Sequence, residues 1–241
     1  MPAERYFINT SLQCNSEIIL KETELHHLVR VMRTRVGEEV ELVNGQGCLS
    51  QAIVKEIHKD KALLQIISCK QEVIRPIQVV LVQAIPKPNR LDFILEKGTE
   101  LGVDEFWLFP AQHSLKKDFS PSQEERLQSL IIGAMKQCGR LFLPKIIMQP
   151  TLDKWPKFSQ PAFFGATTKE APVFLNAWTS LSSIIFCIGP ESGFTDKEIQ
   201  ILQDRGAQGV KLHQNILRTE TAGLMALSLI EHRLLQSKYL L

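Results

Sequence analysis

Ile77-Gln78-Val79-Val80-Leu81-Val82-Gln83-Ala84-Ile85 (residues 77–85) is the stretch whose reading decides the fold. It is nearly continuous in Val, Ile and Leu where a sheet with one wet face would alternate, so it reads as a strand covered on both faces within a parallel sheet. Parallel strands need a crossover, and the next residues supply one. Leu91, Ile94, Leu95, Gly98 and Leu101 fall on one helical face, and Gly102 is placed as the left-handed residue ending that helix. Glu105 to Phe109 follows as a second strand. Ser120-Pro121-Ser122-Gln123 is a capping-box pattern with proline at the first helical position, after which Leu127, Leu130, Ile131, Ala134, Met135 and Cys138 trace an apolar stripe. Further strands are expected at Ala162 to Ala166, Ser183 to Ile188 and Gly209 to Leu212, with another capping box at Thr195 to Glu198. Alternation of this kind predicts α/β architecture. The last helix, from about Thr219 to Leu240, is apolar almost all round between Ala222 and Ile230, so it needs burial on more than one side, which a subunit interface would supply.

Upstream of this stretch the pattern changes. Glu39 to Val43, the Asn44-Gly45 turn signal, Cys48 to Ile57 and Ala62 to Cys69 read as short alternating strands of a small β-barrel. Before them, His26 to Arg33 carries apolar residues at 28, 29 and 32, near helical spacing, with Arg30, Arg33 and Arg35 crowded beside two histidines. Lys70 to Pro76 is a polar connection, which puts a boundary near residue 73 and predicts two domains, 1–72 and 73–241. The composition agrees: 241 residues, 44% apolar and 22% charged, exclude disorder, collagen and coiled coil and predict a compact soluble protein. A net charge of +2 is too mild to announce a polyanion partner, so any nucleic-acid surface must be local. Met1 to Arg5 lacks the basic-then-apolar order of a signal peptide, and no apolar run approaches the roughly 18 residues of a membrane helix. Five scattered cysteines form no C-x-x-C pair, which argues against a disulfide framework and a thiolate zinc site. The expectation is a cytoplasmic protein with reduced thiols, no membrane contact and no metal.

Two turns look too specialised to be connectors alone: Gly189-Pro190-Glu191-Ser192-Gly193-Phe194, and His213-Gln214-Asn215-Ile216-Leu217-Arg218-Thr219-Glu220-Thr221. Both follow predicted strands, where α/β proteins bind ligands on loop backbone, although glycines there can also serve geometry only. Glutamate instead of serine at the centre of G-x-S-x-G argues against a nucleophile elbow and weakens a hydrolase reading through Ser192. No G-x-x-x-x-G-K-[ST] loop and no H-E-x-x-H occur, and Gly45-Gln46-Gly47 belongs to a hairpin, so ATPase, dinucleotide and zinc-protease readings lose support.

At these loops the sequence resembles the knotted SPOUT class of S-adenosylmethionine-dependent RNA methyltransferases, and within it the RsmE family that methylates N3 of a uridine in 16S ribosomal RNA. The resemblance runs through His27-Leu28-Val29-Arg30-Val31-Met32-Arg33, Gln83-Ala84-Ile85-Pro86-Lys87, Lys97 with Thr99-Glu100-Leu101-Gly102-Val103, Gln137-Cys138-Gly139-Arg140, the Gly-Pro-Glu loop, and Ile216 to Ala222. It implies an α/β, SPOUT-type trefoil-knotted methyltransferase domain behind a PUA-like β-barrel. It also implies a homodimer, and S-adenosylmethionine held by Gly189, Pro190, Glu191, Gly193, Leu212, Ile216, Leu217 and Thr219. The chain departs from the family pattern at Ser192 (glycine), Cys138 (serine), Gly98 (alanine) and His213 (glycine). A side chain at 213 is expected to narrow the cofactor pocket or to require a positive φ.

Methyl transfer chiefly needs nucleophile, methyl carbon and sulfur held in line, and no metal. Uracil N3 carries a proton, so a base must take it or a cation must stabilise the anion. Arg218 is the candidate cation and Glu191 or Glu220 the candidate base, with helix capping the competing role, favoured for Glu220. Arg5, Arg30, Arg33 and Arg140 are the candidate contacts to ribosomal RNA of the small subunit. Lys87, Arg90, Lys116, Lys117 and Lys136 could add phosphate contacts or be solvated surface. The alternatives are a knotted methyltransferase acting on another RNA and a non-enzymatic RNA-binding relative.

Overall fold

A computed structural model describes residues 4–114 and 118–238. Lys116, Lys117 and the final residues of the expected last helix, up to Leu240, lie outside the described residues. The chain divides into two units, Met1–Ile74 with Ile132–Leu143 and Arg75–Ile131 with Pro144–Leu241.

In the first unit, β1 (Arg5–Phe7), β2 (Glu17–Leu20), β3 (Glu39–Val43), β4 (Cys48–Ile57) and β5 (Ala62–Gln71) form one sheet in the order β1-β3-β4-β5-β2. The alternation seen in the sequence sorts the faces: Val40, Leu42, Ala52, Val54, Leu64 and Ile66 are all buried in one core with Tyr6 and Leu28. Asn44 builds the hairpin turn through its side chain, whose Oδ1 accepts from the N–H groups of Gln46 and Cys48 at 2.9 and 3.2 Å. The sheet ends at β1 and β2 without pairing them, so the small barrel read from the sequence takes the form of a curled half-barrel. These strands of three and four residues are too short to show a sequence pattern.

α1 (Glu22–His26) runs into one π-helical turn over His27–Val31. The N–H of Met32 reaches the carbonyl of His27 at 3.0 Å, and this wider turn rotates the succeeding residues off the apolar face. Met32, expected on that face with Leu28, is therefore 36% exposed, and Val31 55%.

The second unit holds a six-stranded, wholly parallel sheet. Its elements are β6 (Val79–Ala84), α2 (Pro88–Glu100), β7 (Glu105–Phe109), α3 (Pro121–Cys138, from Ile132 onward part of the first unit), β8 (Lys145–Met148), β9 (Ala162–Gly165), α4 (Phe174–Ala177), β10 (Ile184–Ile188), α5 (Asp196–Asp204), β11 (Ala207–Val210) and α6 (Thr219–Lys238). The strand order is β11-β9-β10-β6-β7-β8. β6 sits inside, every residue buried. Val80, Val82 and Ala84 face an aromatic core with Trp155 and Phe164, while Leu81 and Gln83 face Gly223 of α6. The sheet grows outward from β6 through β7 and β8, then the chain returns to β9, and β10 enters between β9 and β6.

β11 lies two residues earlier than its expected position, ending at Val210 and not at Leu212. Gly206, at φ +96°, turns the chain straight out of α5, and Gly209 is placed where a Cβ would meet the Phe164 ring at 3.0 Å. Gly98, where the family pattern has alanine, has a similar cause: a Cβ there would meet the Phe106 ring at 2.7 Å. In α6, Ala226, Leu227, Ile230 and Leu234 are buried, whereas Leu235 is 49% exposed.

Candidate functional site

A cavity of about 840 Å³ opens beyond the carboxyl ends of β9 and β10, where parallel α/β sheets take their ligands. The volume lies in the roughly 300–1,000 Å³ range of small-molecule sites. Two of its walls come from the loops singled out in the sequence, with Gly189, Pro190, Glu191, Gly193, Ile216, Leu217 and Thr219 among the lining residues. Leu212, expected with them, does not line it: β11 has already ended, and Leu212 falls in the turn beyond.

The Gly189 loop is held by its own backbone and by its neighbours. Gly193 N–H closes a turn on the Pro190 carbonyl at 2.9 Å, and Gly193 takes φ +80°, which a side chain would disfavour. The loop folds back so closely that a Cβ on Gly189 would stand 3.0 Å from the backbone nitrogen of Phe194. Phe194 stacks on Phe109 at 6.5 Å and meets Phe164 edge-on at 6.2 Å. Beyond it, Thr195 and Glu198 form the expected capping box of α5, and Glu198 also accepts from Gln112 N–H at 2.9 Å. From beneath, the Thr219 hydroxyl donates to the Gly189 carbonyl at 2.7 Å and accepts from Gln83 Nε2 at 3.0 Å. Gln83, fully buried, also donates to the Ala84 carbonyl, and its Oε1 has no partner among the described residues. Cys187, on β10, is no nucleophile here, because burial pushes its thiol far up.

His213 neither narrows the cavity nor strains the chain. It is exposed, lies outside the lining and outside the positive-φ residues, and accepts from Asn215 N–H at 3.1 Å. Ser192 is likewise exposed without a positive φ; Gly193 is the residue that needs one.

Of the candidate catalytic groups, Glu191 lines the cavity and accepts from Lys87 N–H at 3.1 Å. Arg218 is exposed and has no ion pair among the described residues. Glu220 stands in the first turn of α6, and its carboxylate faces Arg90. Arg90, read in the sequence as a phosphate contact or surface residue, is engaged with both Glu191 and Glu220. The sequence also missed Gln203, Gln208 and the wall from Phe164 to Ala171, and Gln83, which supports Thr219 from outside the lining. Only Gln83 had a signal, as an amide inside the apolar run of β6.

The four candidate RNA contacts all fall in the first unit. Arg30 and Arg33 are both exposed without an ion pair among the described residues, and Arg33 has φ +57°. Arg5 is spent on Glu41, its Nε 2.7 Å from Oε2 and its side chain 11% exposed, and Arg140 is half-buried. Lys136 is tied to Glu24 at 2.6 Å. Among the described residues no group of three or more His, Cys, Asp or Glu side chains is placed to hold a metal ion, and no helix is long and apolar enough to cross a membrane.

Comparison with known proteins gives this geometry a context. Residues 74–231 match the model of an RNA methyltransferase domain, and residues 20–67 that of an RNA methyltransferase PUA domain. The chain is 30% identical over 247 residues to ribosomal RNA small subunit methyltransferase E of Bacillus subtilis (strain 168), covering 95% of this chain and 96% of the relative. It is 32% identical to the Synechocystis protein of the same name, over 88% and 72% of the two chains. Among solved structures it is similar to a ribosomal RNA small subunit methyltransferase E from Neisseria gonorrhoeae bound to S-adenosyl methionine, with TM-score 0.87, 26% identity, and 96% and 98% of the two chains covered. A putative methyltransferase from Legionella pneumophila in complex with the same cofactor superposes with TM-score 0.87 at 25% identity, over 97% and 98% of the two chains.

Proposed function

Because the chain belongs to the RNA methyltransferase family of ribosomal RNA small subunit methyltransferase E, we propose that it transfers a methyl group from S-adenosylmethionine to N3 of a uridine in 16S ribosomal RNA of the small subunit. Its second unit has the SPOUT-type trefoil-knotted fold of that family, and its N-terminal part the PUA-like fold. The observation that carries the reading is the Gly189 loop, fixed by Thr219, Phe194 and the α5 cap on the wall of an 840 Å³ cavity.

The cavity fits the cofactor chemically. Gly189 and Gly193 keep the loop free of side chains where backbone must approach a ligand, and Ile188, Leu217 and Ile216 give an apolar wall for a flat base. Ile216 is 84% exposed. When bound, S-adenosylmethionine supplies an electrophilic methyl carbon on a sulfonium. Gly189, Gly193, Ile216 and Leu217 would hold the cofactor, and the transfer itself would call for orientation of methyl carbon and nucleophile. Glu191 accepts the N3 proton, and Arg218 stabilises the negative charge left on the base. Arg30 and Arg33, beside the exposed Val31 and Met32, contact the RNA, Arg5 supports the fold through Glu41, and Arg140 adds a further contact. The domains divide at about residue 73, two copies form a homodimer through the second domain, and the protein works in the cytoplasm.

The test is methyl transfer from labelled cofactor to small subunits lacking the modification, with naked 16S RNA and transfer RNA as parallel acceptors. Label in the small subunit is expected. Label in transfer RNA alone would refute the substrate, and absence of both cofactor binding and label would favour a non-enzymatic RNA-binding protein.

A further inference from the structure

Three charged side chains from three separate elements meet beside the cavity, and the chemistry above uses them unequally. Arg90 comes from the first turn of α2, Glu191 from the loop after β10, and Glu220 from the first turn of α6. Glu220 occupies a position where a carboxylate ordinarily accepts from the free N–H groups of a helix start. Its side chain is instead 16% exposed, with Oε2 buried and without a hydrogen-bond partner among the described residues. That Oε2 faces Nη1 of Arg90 at 3.7 Å. The same Nη1 stands 3.5 Å from Oε1 of Glu191, which also receives Lys87 N–H. Of the three residues only Glu191 lines the cavity.

We propose that Arg90 is a positioning residue for methyl transfer, anchored from behind by Glu220 and holding the Glu191 carboxylate at the cavity edge with Oε2 free to accept a proton. This rests on the methyltransferase reading of the site, and it assigns Glu220 as the anchor of Arg90 and not as a base. Glu191 projects from an exposed turn on a flexible stem, and one backbone donor fixes a single oxygen without fixing the plane of the carboxylate. The Arg90 cation stands against that same oxygen at 3.5 Å and holds the carboxylate at this edge by ion pairing. Without a cation between them, two like charges in this space would repel and splay apart. Arg90 therefore keeps both carboxylates in place while only one of them meets the ligand.

The experiment measures kcat, KM for small ribosomal subunits and Kd for S-adenosylmethionine in the full chain and in Glu191→Gln, Arg90→Gln, Arg90→Lys and the double variant Arg90→Gln/Glu191→Gln. Loss of the base in Glu191→Gln is expected to lower kcat about 100-fold. Arg90→Gln, which misplaces that base, is expected to lower kcat roughly tenfold or more with KM and Kd nearly unchanged. Arg90→Lys should recover most of the rate, and the double variant should be no slower than Glu191→Gln alone, since Arg90 then has nothing left to position. The proposal is overturned if the two losses multiply in the double variant, if Glu191→Gln retains the parent kcat, or if Arg90→Gln acts only through Kd or melting temperature. Failure of the unsubstituted protein to methylate any RNA would instead overturn the methyltransferase reading, and this proposal with it.

Discussion

Thr219→Val is the sharpest probe of how the cofactor loop is held. The substitution keeps the shape of the side chain and removes one hydroxyl, which donates to the Gly189 carbonyl at 2.7 Å and accepts from Gln83 Nε2 at 3.0 Å in a site only 6% exposed. Gln83 keeps its bond to the Ala84 carbonyl, so the Gly189 carbonyl takes most of the loss. A buried group left without its partner costs about 1–3 kcal/mol, so a total near 2 kcal/mol is expected. At roughly 2–4 °C per kcal/mol for a chain of this size, the melting temperature should fall by about 4–8 °C. If the hydroxyl also fixes the loop for its ligand, calorimetry should find S-adenosylmethionine bound about tenfold more weakly, equivalent to about 1.4 kcal/mol. Thr219→Ser keeps both bonds and should keep affinity. A Val variant with unchanged melting temperature and unchanged Kd would refute the idea that α6 props the loop.

Other perturbations read other parts of the molecule. Gly47→Ala places a Cβ 2.5 Å from the Phe142 ring at φ +90° and should destabilise the first unit by about 3 kcal/mol or more, seen as loss of protease resistance in residues 4–74. Burial pushes the Tyr6 hydroxyl up to about 12 from 10.0, so its contribution to stability is complete below pH 10 and is lost as pH rises through 12. Denaturant titrations at pH 9 and 12 should show about 2–3 kcal/mol less alkaline loss in Tyr6→Phe, and identical loss in both proteins would refute it. Replacing Arg30 and Arg33 together with Gln should weaken RNA binding and lower the slope of log K against log salt by roughly two, whereas an unchanged slope would remove them from the interface.

The central strand was legible because burial on both faces leaves no alternation to misread, and the same continuity made Gln83 visible as an exception whose meaning only the fold supplies. Helices α3 and α5 announced themselves through Ser120 and Thr195, since a cap is a local device. β1, β2 and β8 left no trace, because three or four residues cannot display a period and their pairing is decided by distant partners. The cavity's two loops were readable from motif, whereas the wall after Phe164 carries no motif and becomes a wall only because β9 ends beside β10. His213 misled for a related reason: replacing a glycine matters where φ is positive or a Cβ is crowded, as at Gly193 and Gly98, and His213 is exposed without a positive φ. Arg90, Glu191 and Glu220 lie far apart in the chain, and their meeting was invisible until the topology placed them side by side.

The most direct measurement digests small-subunit RNA, after incubation with the protein and labelled S-adenosylmethionine, to nucleosides and identifies the one that carries the methyl group. The expected result is a single labelled product, N3-methyluridine, from one position of 16S RNA. Label on ribose 2′-oxygen, on a purine, or on RNA from outside the small subunit would contradict the account.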